Sequence, residues 1–171
     1  SMLIAGTGNI GTMTGRIAAA LGMKVRSAVL PGRPIEGSGP FERVALDDAL
    51  PEADVLSLHC PLTDLTRGLI NAARLRRMKS SALIINVARG PVAVEQDVAR
   101  ALRDGVIAGY ATDVLSAEPP AADNPLLGAP RCIITPHFAW ATFESRQRLW
   151  DAVASNIKAF ISGSPQNVVN G

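Results

Sequence analysis

The sequence is poor in aromatic residues, which make up 4% of its 171 positions. That argues against stacking platforms for single-stranded nucleic acid. It has only two cysteines, Cys60 and Cys132. Two thiols do not make a disulfide framework, so a reducing, cytoplasmic setting is the expectation. Charge of one sign is lacking too, since 17 basic side chains stand against 15 acidic ones and neither sign is blocked together. Neither nucleic acid nor an anionic membrane surface is therefore expected as a partner. No apolar run approaches the roughly 20 residues that a membrane span needs. Nothing resembles a signal peptide, because the first residues run straight into a glycine motif. No internal repeat or low-complexity tract is present, and one domain is the prior at this length.

What is present is alternation. Short runs rich in Val and Ile predict strands at about 2–5, 23–30, 54–58, 82–87, 107–113 and 131–135. They are nearly continuous in apolar residues, as strands buried on both faces of a parallel sheet should be. Helical patterns lie between them. The first, 9–21, places Ile10, Met13, Ile17 and Leu21 on one stripe. The second, 93–104, ends at Gly105, a candidate C′ glycine. The third, 142–162, has Thr142 as candidate N-cap, Glu144 in its first turn and a stripe of Leu149, Val153, Ile157 and Phe160. The pattern predicts an α/β fold, an open doubly wound parallel sheet with helices on both faces and strand order 3-2-1-4-5-6. Two Pro/Gly-rich loops, 31–41 and 115–130, are long enough to suggest function.

Gly6, Gly8 and Gly11 fit G-x-G-x-x-G between a predicted strand and a predicted helix, the context that lifts this motif above a chance match. Gly6 allows the tight turn, Gly8 lets a pyrophosphate approach the backbone, and Gly11 lets helix and strand pack closely. The phosphates would meet the free N–H groups near Asn9 and Ile10 at the positive end of the helix dipole. The alternative is a glycine turn that binds nothing. The acidic partner of such motifs, about 20 residues on, reads the ribose hydroxyls. Here Val29 stands at that place, and the nearest acid is Glu36 in the loop. The cofactor expectation is NAD or NADP, with a slight lean to NAD. Arg33 is either a 2′-phosphate contact or a solvated loop arginine.

Ligands in this architecture bind outside the carboxyl ends of the strands. Arg89 follows the fourth predicted strand, Asp113 and Glu118 the fifth, and His137 the sixth. An arginine, a carboxylate and an imidazole above a dinucleotide site suit reversible hydride transfer to a 2-keto acid. The arginine would clamp the substrate carboxylate and polarise the neighbouring carbonyl. The histidine would give a proton to the carbonyl oxygen. The glutamate would favour the imidazolium form and hold the ring's orientation.

At these residues the chain resembles the D-isomer-specific 2-hydroxyacid dehydrogenase family. The motifs that carry the likeness are the glycine loop, residues 59–63 (HCPLT), 83–90 (LIINVARG), Asp113 with Glu118-Pro119, and 135–142 (TPHFAWAT). Residues 114–120, 124–127 and 137–142 are most similar to its glycerate dehydrogenase (hydroxypyruvate reductase) branch. The resemblance implies a Rossmann-type fold over the whole of 1–171, with Arg89 on the substrate carboxylate and Glu118 supporting His137 as acid and base. It also implies Asp113 at the nicotinamide end, Cys60, Pro61 and Thr66 along the cofactor, and Val87, Ala88 and Ala139 near the nicotinamide. A small 2-keto or 2-hydroxy acid, glycerate/hydroxypyruvate or glyoxylate, is the implied substrate, and a homodimer the implied assembly. Family members build a substrate domain mostly from residues that precede the first strand, so the chain reads as a cofactor-binding domain whose last helix would pack partly on that other domain. Turnover by this chain alone is expected to be poor. Ser1-Met2 reads as a processing boundary.

Some relatives are dinucleotide-sensing corepressors, so a binding module without turnover is the alternative function. A methyltransferase with a similar glycine loop is the third, and it leaves Arg89, Glu118 and His137 unexplained. His59 is read as a structural loop residue in preference to a second catalyst, and Trp140 as packing in preference to pocket lining. The cysteines have no metal-ligand spacing and read as small buried hydrophobes, so no metal is expected.

Overall fold

The computed structural model describes residues 1–169. They fall into two compact units, residues 1–136 and the segment from His137 onward. The first unit runs β1 (Met2–Ala5), α1 (Asn9–Ala20), β2 (Val25–Val29), β3 (Glu42–Ala45), α2 (Leu46–Ala49), β4 (Val55–Leu58), α3 (Ala72–Leu75), β5 (Leu83–Asn86), α4 (Glu95–Arg103), β6 (Gly109–Thr112) and β7 (Cys132–Ile134). The strands form one sheet in the order β3-β2-β1-β4-β5-β6-β7. Every neighbouring pair is parallel. The second unit carries α5 (Phe143–Ile161).

Strand alternation divides the core between the two faces. Leu3, Ala5, Leu56, Leu58 and Ile84 share a large cluster with Val98 and Leu102 of α4. Met2 and Ile4 turn to the other face and meet Ala18 of α1, with Phe41 and Val55 packed alongside. Each fully buried aliphatic side chain adds roughly 1.5–3 kcal/mol before the ordering entropy is charged against it. The doubly wound α/β fold is therefore present with helices on both faces.

Three details depart from the sequence reading. The sheet has seven strands, not six. The missed strand, β3, carries Glu42 and Arg43 and so breaks the apolar run that marked the others. It takes the outer place beside β2, and the strand predicted at 54–58, expected there, lies beside β1. The four-residue helices α2 and α3 also went unread, being too short for a periodic signal. Finally, the α1 stripe faces away from the sheet: Ile10, Met13, Ile17 and Leu21 are 69%, 55%, 54% and 79% exposed. The buried residues of α1 are Gly11, Gly15 and Ala18. The reason is clearance, since a Cβ at Gly15 would sit 2.4 Å from the Phe41 ring and 2.7 Å from Ile4 Cδ1. Only small residues fit between this helix and the sheet.

In the second unit α5 begins as its sequence suggests. Thr142 Oγ1 accepts the Ser145 N–H at 3.2 Å, and Glu144 lies in the first turn. No residue of α5 is buried, so its apolar stripe is at the surface.

Candidate functional site

The chain leaves β1 through Gly6, whose φ of +102° suits glycine. A Cβ there would lie 2.8 Å from the backbone of His59 and Cys60, so the loop after β1 and the loop after β4 are in close contact. Gly8 occupies the N-cap position of α1 with no side-chain cap, and no acid sits in the first turn. The first amides of α1 are thereby left for an anion. Thr12 Oγ1 donates to the Thr7 carbonyl at 3.0 Å and closes the loop on itself. Beside it opens a cavity of about 470 Å³, lined by Gly6, Gly8, Val29, Arg33, Arg43 and His59 among others.

Of the residues expected along the cofactor, Gly6, Gly8 and Pro61 line this cavity. Asn9 and Ile10 are exposed, and Gly11 lies on the buried face of α1. Cys60 and Thr66 are buried. The Thr66 hydroxyl donates to the Pro61 carbonyl at 2.6 Å and accepts the Thr63 N–H at 2.8 Å. It braces the loop that carries Cys60 and Pro61. Burial pushes the Cys60 thiol up and the Cys132 thiol up to about 11, so both stay protonated at neutral pH. Among the described residues no three His, Cys, Asp or Glu side chains group to hold a metal ion.

His59 also borders the cavity. One ring nitrogen, Nε2, lies 2.8 Å from Ser57 Oγ, while Nδ1 is buried with no partner among the described residues. Burial depresses its pKa below the ordinary 6.5, so the ring is neutral at pH 7. Because the unfolded chain takes up the proton more readily, His59 favours the fold fully above about pH 6.5 and progressively less as pH falls toward its depressed value. The parent should therefore lose stability between pH 7 and 5 more steeply than a His59→Gln variant in urea titrations. Parallel pH profiles would refute this.

The second wall grows from β5. Asn86 is fully buried, and its amide donates to the Arg89 carbonyl at 3.1 Å and the Tyr110 hydroxyl at 3.2 Å while its oxygen accepts the Ala88 N–H at 3.0 Å. One side chain thus shapes the turn Val87–Gly90. A Cβ at Gly90 would meet the Leu115 carbonyl carbon at 2.0 Å, so this turn abuts the loop after β6. Ala88 is buried and Arg89 exposed. Arg89 Nη1 donates to the Ala88 carbonyl at 2.7 Å. Its other donors have no hydrogen-bond partner among the described residues.

The loop after β6 is held at several points. Asp113 is buried and accepts the Thr135 hydroxyl at 2.5 Å. Glu118 Oε1 accepts the Leu115 N–H at 2.9 Å. Glu95, the first residue of α4, accepts the Ser116 N–H at 2.6 Å and the Asn124 amide at 2.9 Å. Asn86 and Glu95 are supports that the sequence reading missed. Asn86 lies inside the 83–90 motif without standing out there, Glu95 lies in none of the motifs, and only the fold shows what they hold.

His137 and Ala139 belong to the second unit. His137 has φ of +51°, uncommon outside glycine and a feature of functional turns. Its carbonyl accepts the Trp140 indole N–H at 2.8 Å. Trp140 therefore braces the histidine's own turn, while its ring is largely exposed.

A glycine loop feeding a helix under a cavity, with Arg89 and Asp113 on neighbouring strand ends, sets the context for comparison. A family model described as D-isomer specific 2-hydroxyacid dehydrogenase, NAD binding domain, matches residues 1–139. The chain belongs to this family. It is 48% identical over 170 residues to a hydroxypyruvate reductase of Blautia hydrogenotrophica, covering 99% of this chain and 53% of that protein. It is 43% identical to a glycerate dehydrogenase of Methylorubrum extorquens, covering 97% of this chain and 51% of that one. The chain thus spans about half the length of these relatives. Among solved structures, a D-isomer specific 2-hydroxyacid dehydrogenase from Lactobacillus delbrueckii ssp. bulgaricus in its NAD-complexed form is similar at TM-score 0.87 and 31% identity, over 99% of this chain and 56% of that one. A nicotinamide dinucleotide is the cofactor of this domain type. No helix among the described residues is long and apolar enough to cross a membrane.

Proposed function

We propose that the chain is the cofactor-binding domain, over its whole length, of an NAD(P)-dependent oxidoreductase. The reaction moves a hydride between nicotinamide and a small D-2-hydroxy acid or its 2-keto partner, glycerate/hydroxypyruvate or glyoxylate. The carrying observation is the exposed Arg89 guanidinium on a turn that buried Asn86 holds at the mouth of a dinucleotide fold. The similarity to a hydroxypyruvate reductase and a glycerate dehydrogenase supports the substrate class.

The residues fit the cofactor. Gly6, Gly8, Gly11, Asn9 and Ile10 would receive the pyrophosphate, Cys60, Pro61 and Thr66 would flank the cofactor, and Asp113, Val87, Ala88 and Ala139 would meet its nicotinamide end. The bound dinucleotide supplies the hydride. Arg89 would take the substrate carboxylate in its forked donors and polarise the adjacent carbonyl. His137 would hand its proton to the carbonyl oxygen during reduction and recover it during oxidation. Glu118 would keep the imidazole oriented. The last helix would pack partly on a substrate domain, and the setting would be cytoplasmic. A homodimer completes the reading, and the exposed α1 stripe offers it an apolar surface.

The test is a fluorescence titration with NADH and with NADPH. Saturable binding of at least one is expected. Binding of neither would overturn the reading.

A further inference from the structure

The end of β2 is where a dinucleotide fold tells a ribose hydroxyl from a 2′-phosphate. A free diol is read by a carboxylate acceptor, a phosphate by forked cationic donors. In this chain the cavity at that place is lined by Val29, Leu30, Arg33, Pro34 and Arg43, and no carboxylate residue lines it. Arg43 lies in β3, opposite Ser27 of β2. Its Nε donates to the Ile35 carbonyl at 3.0 Å and its Nη2 to the Pro34 carbonyl at 2.6 Å. These two bonds tie the 31–41 loop to the sheet edge and fix the plane of the guanidinium. Nη1 has no hydrogen-bond partner among the described residues. Arg33 stands in the same loop and is exposed.

Two neighbouring acids are engaged elsewhere, while Glu36 and Glu42 are exposed and do not line this cavity. Asp47 lines the adjoining cavity together with Arg33 and Arg74. Its two oxygens are held by Arg74 at 2.8 and 3.1 Å, hydrogen bonds that lower the carboxyl's pKa from its ordinary value. Glu52 pairs with Arg26 at 2.8 Å. Two arginines therefore line one cavity that no carboxylate residue lines.

We infer that Arg33 and Arg43 form a 2′-phosphate clamp, so that the chain takes NADPH in preference to NADH. This rests on the proposed dinucleotide function and reverses the lean to NAD drawn from the sequence. Arg43 decides the matter, and its strand was invisible there. Arg43 is a specificity-determining residue in this arrangement, positioned by the loop it braces.

The experiment compares NADPH with NADH, and 2′,5′-ADP with 5′-AMP, by direct titration of the purified protein and of R33A, R43A and R43K. The parent should bind each 2′-phosphorylated ligand about tenfold or more tightly than its partner, the size expected of charge-assisted contacts to phosphate. R33A should remove most of that ratio while NADH binding stays within about twofold, R43A, which also frees the loop, should weaken NADPH several-fold more than NADH, and added salt should shrink the ratio. R43K should retain part of the ratio, since the charge remains and the fork is lost. NADH bound as tightly as NADPH would overturn the inference and leave the dinucleotide reading intact. An R43A protein that weakens both cofactors equally would reduce Arg43 to a loop brace and overturn its part in the clamp. Binding of neither cofactor would remove the functional reading and the clamp with it.

Discussion

Alanine at position 11 is expected to cost about 100-fold in dinucleotide affinity while leaving the protein folded. Its Cβ would lie 2.0 Å from the Gly6 carbonyl oxygen, 3.1 Å from the Gly6 carbonyl carbon and 3.2 Å from His59 Cβ. The first two neighbours are backbone of the glycine loop, so no side-chain rotation relieves the clash. Either α1 lifts from the sheet or the loop shifts. Overpacking of this kind costs about 1–3 kcal/mol of stability. Against it stands the gain of about 1 kcal/mol from replacing a helical glycine by alanine. The net loss of folding stability is therefore small. Binding has no such offset. The amides that would receive the pyrophosphate ride on the displaced helix, and a loss of about 2.7 kcal/mol corresponds to 100-fold. Gly11→Ala should thus show a thermal midpoint close to the parent's and a collapsed NADPH titration. Affinity within threefold of the parent would show that the loop is not the phosphate site.

The parts of the fold legible in the sequence were those with redundant signals. β1, α1 and the glycine loop were readable because an apolar run, a glycine triad and a helical period coincide over residues 2–20. Gly105 and Gly163 both have positive φ, at +68° and +76°, where the helix ends were placed. β3 was not readable, because two of its four residues are charged and it lies at the sheet edge. That single omission hid Arg43 from the candidate site. The direction of the α1 stripe was not readable either. Periodicity reports that one face is apolar, and only the approach of Phe41 and Ile4 shows that the glycine face is the buried one. Arg89 is a candidate from the sequence because it follows a strand end, whereas Asn86, which shapes its turn, reads there as one more strand residue.

In the enzyme that joins this domain to the proposed substrate domain, replacing Arg89 by methionine is expected to lower kcat/KM for hydroxypyruvate or glyoxylate by roughly 10³, the scale of losing a principal electrostatic contact in a reacting site. The guanidinium spends one donor on the Ala88 carbonyl at 2.7 Å. What remains is a planar fork suited to a carboxylate. Lysine keeps the charge without the fork, so Arg89→Lys should recover only part of the loss and show most of it in KM. Because Arg89 lies on a surface turn whose shape is set by Asn86, neither change should disturb folding. Because the cavity of the glycine loop is lined by other residues, NADPH affinity should stay within about twofold of the parent. His137→Gln should behave differently. It should lower kcat while leaving KM nearly unchanged, since it would remove the proposed proton donor and not a binding fork. A methionine variant within tenfold of the parent would take the substrate carboxylate away from Arg89. A glutamine variant with an unaltered kcat would take the proton transfer away from His137.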